Sequence, residues 1–310
     1  GSWKLAHIVP IYKRKGDPSK LNNYRPVSLT DAVCKIMESC VKQELTEFLL
    51  ERNLISSAQH GFLQGKSTLT ALLRSYHQWV VRADEGFVTD AVYFDLTKAF
   101  DSVVHSKLID KCKGYGIKGN LLRFLQNFLL DRYQRVIIND SQSDWIHVRS
   151  GVPQGSVLGP LMFLLYINDL PDVIREARID LFADDAKISR SVSKPLPTGL
   201  AFNDIDNFSA WCTDWQLGIH PDKCVAVRLG GSGQIEPRYS LNGHEIPIVS
   251  HVKDLGVYIS SNLSFKFHVS DLCTKGLRLS GYILKAFVCR RCDFMIRIFV
   301  SRIRPALEYN

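Results

Sequence analysis

No stretch of this 310-residue chain approaches the roughly 20 consecutive apolar residues that a membrane-spanning helix needs, and its first residues carry no signal-peptide pattern. The expectation is a protein that neither crosses a membrane nor is secreted. Paired cysteine motifs are nearly missing too. The eight cysteines stand at positions 34, 40, 112, 212, 224, 273, 289 and 292, and only Cys289 and Cys292 have CxxC spacing. With no second pair and no His pair beside them, they read as reduced thiols of a cytosolic or nuclear protein, not as a disulfide framework or a zinc site. Internal repeats and low-complexity tracts are absent, which excludes solenoids and long disordered arms.

What is present is ordinary globular composition with an uneven charge. At 45% hydrophobic the chain can bury a large core, and its length suggests two or three sub-domains. The net charge of +8 is concentrated near the end: from Asn262 to Asn310 nine Lys and Arg face only Asp271, Asp293 and Glu308. A single-sign excess of this kind favours a phosphate backbone as partner, against the blander reading of a solvated helical face.

Apolar periodicity organises the rest. His7 to Tyr12 and Tyr24 to Leu29, separated by a turn at Gly16-Asp17-Pro18, predict a long hairpin. Val33, Ile36, Met37, Cys40, Val41, Phe48 and Leu49 follow a helical spacing behind Thr30 or Asp31 as cap, a stripe that reads as core. A second helix after Gly65-Lys66-Ser67 presents Leu69, Leu72, Leu73, Tyr76 and Val80. Helices are expected over 106–115 and 120–132, a polar-tipped hairpin over 134–149, and a helix from Pro160 toward Ala177. Further on, Ser193 to Pro197 reads as a surface loop. Ile205, Phe208, Cys212 and Trp215 mark another helix, turns at Gly230 to Gly233 and Asn242-Gly243 separate short strands, and a basic helical region closes the chain.

Two acidic clusters carry the chemistry. Asp95 ends the apolar run Ala91-Val92-Tyr93-Phe94, and Asp184-Asp185 sit between the arms 179–183 and 186–188, the pattern of a hairpin with carboxylates at its tip. Aspartates are also common at turns for local reasons. Strand ends bearing carboxylates side by side, however, suit hard divalent cations, which take oxygen ligands and share them with substrate phosphates.

The ordered set of segments resembles the reverse transcriptases of non-LTR (LINE-type) retrotransposons. It comprises Lys13-Arg14-Lys15-Gly16-Asp17, Tyr24-Arg25-Pro26-Val27-Ser28-Leu29, Gln59-His60-Gly61-Phe62 with Lys66-Ser67-Thr68, the Asp95 motif, Gly151-Val152-Pro153-Gln154-Gly155-Ser156, Phe182-Ala183-Asp184-Asp185, Lys223 and Leu255-Gly256. That resemblance implies an α+β right-hand polymerase with fingers, a palm built on an antiparallel sheet, and a partial helical thumb. The implied segments are fingers at 3–90 and 112–150, palm at 91–111 and 151–260 with the primer grip at Leu255-Gly256-Val257, and a short thumb at 261–310.

It also implies site roles. Asp95 and Asp184 are expected to bind two Mg2+ ions, with Mn2+ as a substitute, helped by the Leu96 carbonyl and supported by Asp185. Asp101 is expected to cap the next helical turn. Phe100 stands where the family places a steric gate against the ribose 2'-hydroxyl. Lys13 or Lys15, the latter beside the turn, and Arg25 are expected to grip the triphosphate. Gln154 and Gly155 are expected to pack against the incoming nucleotide and template base. Lys223 takes the place of a general acid, although His220-Pro221-Asp222-Lys223-Cys224 departs from the common Asn-x-x-Lys-Thr. The implied partners are an RNA template, a DNA primer and dNTPs, with an endonuclease domain elsewhere in the polypeptide. The implied setting is the nucleus at the site of action, with cytoplasmic assembly on RNA. A group II intron-type enzyme and a non-catalytic nucleic-acid-binding scaffold are the competing readings.

Overall fold

The computed structural model describes residues 2–193, 202–231 and 238–309. Strands β1 (Leu5–Tyr12) and β2 (Tyr24–Leu29) pair antiparallel from Tyr12↔Tyr24 to His7↔Leu29, as the Gly16 turn predicts. Helix α1 (Ala32–Glu51) follows, capped by Asp31, whose carboxylate accepts from the Val33 amide at 2.8 Å. Helix α2 (Thr68–Asp84) opens on a reciprocal box in which Ser67 and Thr70 each satisfy the other's backbone amide. Next come β3 (Val88–Thr97), α3 (His105–Gly114), α4 (Gly119–Leu129), β4 (Tyr133–Ile138), β5 (Ser141–Gln142) and β6 (Ile146–His147). Strand β4 runs parallel to β1 and antiparallel to β5 and β6, so the first hairpin and the 134–149 hairpin form one sheet.

Helix α5 (Gly159–Ile167) ends ten residues before the Ala177 limit expected for it. Asn168 leaves the helix and Pro171 starts a separate 3-10 turn over Leu170–Val173, because a proline cannot supply the next helical N–H. Then follow β7 (Arg178–Phe182), β8 (Asp185–Val192), α6 (Asn203–Asp214), β9 (Gly218–Ile219) and β10 (Val225–Leu229). Two small hairpins, β11 (Tyr239–Leu241) with β12 (His244–Ile246) and β13 (His251–Asp254) with β14 (Val257–Ser260), precede helices α7 (Lys266–Ala286), α8 (Cys292–Ile298) and α9 (Arg304–Leu307). Lys194–Pro197 and Ser232-Gly233, expected in a loop and a turn, lie outside the described residues.

The central sheet has the order β10-β3-β8-β7, antiparallel throughout, with β9 on the far end of β3. Alternation along β3 separates its two faces. Val92, Phe94 and Leu96 join Ile188, Ile179 and Leu181 in the main core, packed on α3, α5 and α6, with Phe94 stacked on Phe208 at 4.0 Å between centroids. The other face carries Ala91, Tyr93 and Asp95 beside Lys187 and Asp185 of β8. It packs Val227 and Leu229 against α2 and the β13–β14 hairpin.

Two helical stripes differ from expectation. In α1, Leu45 and Leu49 are buried but Val33, Ile36, Met37 and Cys40 are exposed, so only the C-terminal half of the stripe meets the core. The buried residues of the front half are Cys34 and Glu38. In α2 the buried face is Ala71, Leu72, Ser75 and Trp79, while Leu69 and Leu73 point to solvent. The helix is turned because its partner is polar: Ser75 donates to Asp180 of β7, at 3.0 Å.

Candidate active site

Antiparallel pairing places Asp95 of β3 directly opposite Asp185 of β8, on the same face. Asp184 lies in the two-residue turn between β7 and β8, which is closed by the pair Phe182↔Asp185. Ala183, the other turn residue, has φ +55°, a left-handed conformation uncommon for a side-chain-bearing residue. Its amide donates to the Gln59 side-chain oxygen at 2.9 Å, which also accepts from Gly61 at 2.7 Å. The Gln59 segment extends β7 as a short parallel bridge, His60 donating to Leu181 and Leu181 to Ala58. Gly61 is required there, because a Cβ would overlap the Ala183 nitrogen. The buried Gln59 thus holds the acidic turn, a role that no local spacing signals.

The electrostatics fit a crowded acidic end. Desolvation in the cleft, then the charges of Asp184, Asp254 and Asp95, push the Asp185 carboxyl up to about 6, with Lys187 opposing. Burial and the neighbouring Asp95 raise Asp184 as well, while Arg25 pulls it down. Arg25, exposed on β2, is therefore a charge of the first sheet that lies near enough to act on Asp184. Lys223 stands at the end of a 3-10 turn over Pro221–Lys223 and donates to Asp95 Oδ2 at 2.9 Å. Leu96 has a buried side chain, leaving only its carbonyl for a ligand role.

Asp101 is not a helix cap. Helix α3 begins four residues later behind Val104, and the Asp101 carboxylate instead accepts from the Gln154 side-chain amide at 3.0 Å. Burial raises its pKa and the Gln154 bond opposes that. Gln154 is fixed from a second side, because its carbonyl accepts from Ser28 of β2 at 2.6 Å. Gly155 follows with φ +121°, where a Cβ would lie 2.5 Å from the Ser28 carbonyl oxygen. Phe100 stacks on Phe163 at 4.3 Å, meets Phe62 edge-on at 6.2 Å and is only partly buried.

The two candidate lysines separate. Lys13 donates its ammonium to the Asn22 carbonyl of its own hairpin loop at 2.9 Å. Lys15 is exposed beside the turn and makes no described hydrogen bond. Glu38, missed by reasoning from spacing, is buried and accepts from the amides of Val157 and Leu158 at 2.7 and 3.0 Å, anchoring the loop after Gln154. Among the described residues no three His, Cys, Asp or Glu side chains converge tightly enough to hold a metal unaided. Two adjacent carboxylates do suit Mg2+, which is held by one or two such groups together with substrate phosphates.

An antiparallel palm sheet with acids at the ends of its central strands, flanked by a second sheet and a helical C-terminal region, defines a right-hand nucleic-acid polymerase. The telomerase of Candida tropicalis, solved in complex with a TWJ fragment of telomeric RNA, has the same fold: TM-score 0.58 and 11% identity, over 89% of this chain and 49% of that one. Within that class, residues 12–267 match the family described as reverse transcriptase (RNA-dependent DNA polymerase), and the chain belongs to it. It is 30% identical over 284 residues to a probable RNA-directed DNA polymerase from transposon BS of Drosophila melanogaster, covering 86% of this chain and 30% of that protein. It is 28% identical to the RNA-directed DNA polymerase from mobile element jockey of the same organism, over 100% of this chain and 35% of that one. The chain thus spans about a third of the length of these curated relatives.

Proposed function

We propose that this chain is the polymerase part of a non-LTR retrotransposon protein and extends a DNA primer on an RNA template. The observation that carries the reading is the β3–β8 register, which sets Asp95 across from Asp185 with Asp184 in the turn between β7 and β8. Asp95 and Asp184, helped by the Leu96 carbonyl and with Asp185 in support, would hold two Mg2+ ions, Mn2+ serving as substitute. Bound there, the ions supply Lewis-acid activation of the primer 3'-hydroxyl and neutralise charge on the leaving pyrophosphate. The chain's own groups do the rest: Arg25 and Lys15 bind phosphate oxygens, and Asp101 orients Gln154 toward the base pair being formed. Phe100 excludes the ribose 2'-hydroxyl, and Lys223 moves from Asp95 to protonate the departing pyrophosphate. The Leu255-Gly256 turn supports the primer end.

Residues 3–90 and 112–150 serve as fingers, 91–111 and 151–260 as palm, and 261–310 as thumb. An endonuclease domain elsewhere in the polypeptide supplies the nick, and the protein acts in the nucleus after cytoplasmic assembly on its RNA. The competing scaffold reading predicts a lost carboxylate, and all three are present. Primer extension on poly(rA)/oligo(dT) with Mg2+ tests the proposal. The parent protein extends, and Asp184→Ala loses on the order of 100-fold or more of the rate. Template binding without extension by the parent overturns the reading. In the same assay Phe100→Val admits ribonucleotides about 10–100-fold more readily; unchanged discrimination removes the gate.

A further inference from the structure

The face of the central sheet that carries the acids also carries a buried ion pair that the catalytic roles do not use. Lys187 lies two residues after Asp185 on β8 and opposite Tyr93 of β3. Its ammonium contacts Asp254 of the β13–β14 hairpin, and both side chains are only 7% exposed. Tyr93 donates its hydroxyl to the same Asp254 oxygen at 3.2 Å, so both central strands of the sheet grip one carboxylate. Lys187 is further enclosed by the rings of Trp79 and Tyr93, with its nitrogen 5.2 and 5.9 Å from their centroids. Asp254 pairs with Val257 across the Leu255-Gly256 turn, both of whose residues have positive φ. The clamp is thus one residue from the hairpin tip and one pleat from Asp185.

At its base the hairpin is tied to β10 by backbone hydrogen bonds, Val249 donating to Ala226 and Gly230 to Ser261, and further along it rests on this face through the apolar side chains of Val252, Val257 and Ile259. Apolar contact is non-directional and tolerates sliding, whereas an ion pair with a second donor fixes direction and register. Buried ion pairs add little net stability over well-packed apolar replacements, so folding alone does not account for this one. We propose that Lys187, Tyr93 and Asp254 are positioning residues that lock the primer-supporting turn at a set distance from the catalytic carboxylates. The inference rests on the polymerase reading for its consequence, but the clamp itself can be measured without activity.

The test is the triple variant Lys187→Met, Tyr93→Phe, Asp254→Leu, which removes every polar member and leaves no buried charge unpaired. Amide hydrogen exchange of the metal-free protein is expected to quicken about tenfold or more in β13–β14 while β3 and β8 keep their protection. Unchanged protection of the hairpin overturns the clamp whether or not the protein polymerises. In rapid-quench single-nucleotide incorporation with Mg2+, the burst amplitude and the dNTP Kd stay within twofold of the parent, and the burst rate falls about 10–100-fold. A loss confined to the amplitude marks a mere folding defect, and an equal weakening of dNTP binding marks general loosening; either overturns the positioning role, as does an unchanged burst rate. A parent protein that extends no primer refutes the polymerase reading instead, and the exchange result still decides the clamp.

Discussion

Asp95, Asp184 and Asp185 occupy one sheet end, and their mutual repulsion is a cost that the fold carries. Asp185 shows it most, with a carboxyl pushed up to about 6 by desolvation and its acidic neighbours. A folded state that holds this proton more tightly than the unfolded chain is favoured by the group at low pH. That contribution disappears as pH rises from about 4 through about 6. Asp185 is exposed, so solvent screens much of this cost; in the presence of a chelator, Asp185→Asn should raise Tm above pH 7 by about 1–2 °C, and the gain should vanish near pH 4. Thermal melts of both proteins across that range check it, and a gain that persists at pH 4 would contradict the assigned cause. That Asp95 meets Asp184-Asp185 was legible at this scale, because each stands at the end of an apolar run that reads as a strand. What the polar residues around them touch was not. Asp101 resembles a cap in the local text, yet its bond is to Gln154, 53 positions away. Gln59 reaches Ala183 across 124 positions, a contact that no spacing encodes.

Elements were legible as types and less so as faces. The turn of the first hairpin, the starts of α1 and α2 and the Asn242-Gly243 turn follow from turn and cap chemistry, which is local. The faces of α1 and α2 depend on what covers them. The exposed front of α1 is the clearer case, because apolar spacing reports a stripe and says nothing about whether chain packs on its whole length. The same turn of α1 buries Glu38, whose carboxylate holds the Val157 and Leu158 amides ahead of α5 with Arg132 as the nearby positive charge. Truncating Glu38 to Ala leaves two buried donors unmet, so urea unfolding should register a loss of about 1–3 kcal/mol, more than Glu38→Gln costs. Equal stability of the Ala variant would mean that those amides find other partners.

At the scale of the molecule, charge separates the acidic sheet end from the C-terminal helices. All three acids of that region are paired within it, Asp271 with Lys275, Asp293 with Arg291 and Glu308 with Arg304. Arg278, Arg297 and Arg302 are exposed and make no described ion pair. If they neutralise phosphates of the template–primer duplex, replacing all three with Ala lowers the slope of log K against log salt by about 2–3, since each phosphate contact contributes roughly 0.7–0.9. Binding titrations between 50 and 200 mM salt, in about the range where such slopes are measured, decide the matter, and an unchanged slope would place the duplex elsewhere.

The pairing of Asp95 with Asp185 has one more consequence. Side chains alternate along a strand, so a slip of one residue between β3 and β8 would set Ala186 across from Asp95. The same slip would turn Ile188 out of the core and drive Lys187 into it. Core and chemistry are thus two readings of a single alignment. A preparation of this protein should contain no well-folded but misaligned fraction, and the proportion of molecules competent to react should equal the proportion that have folded.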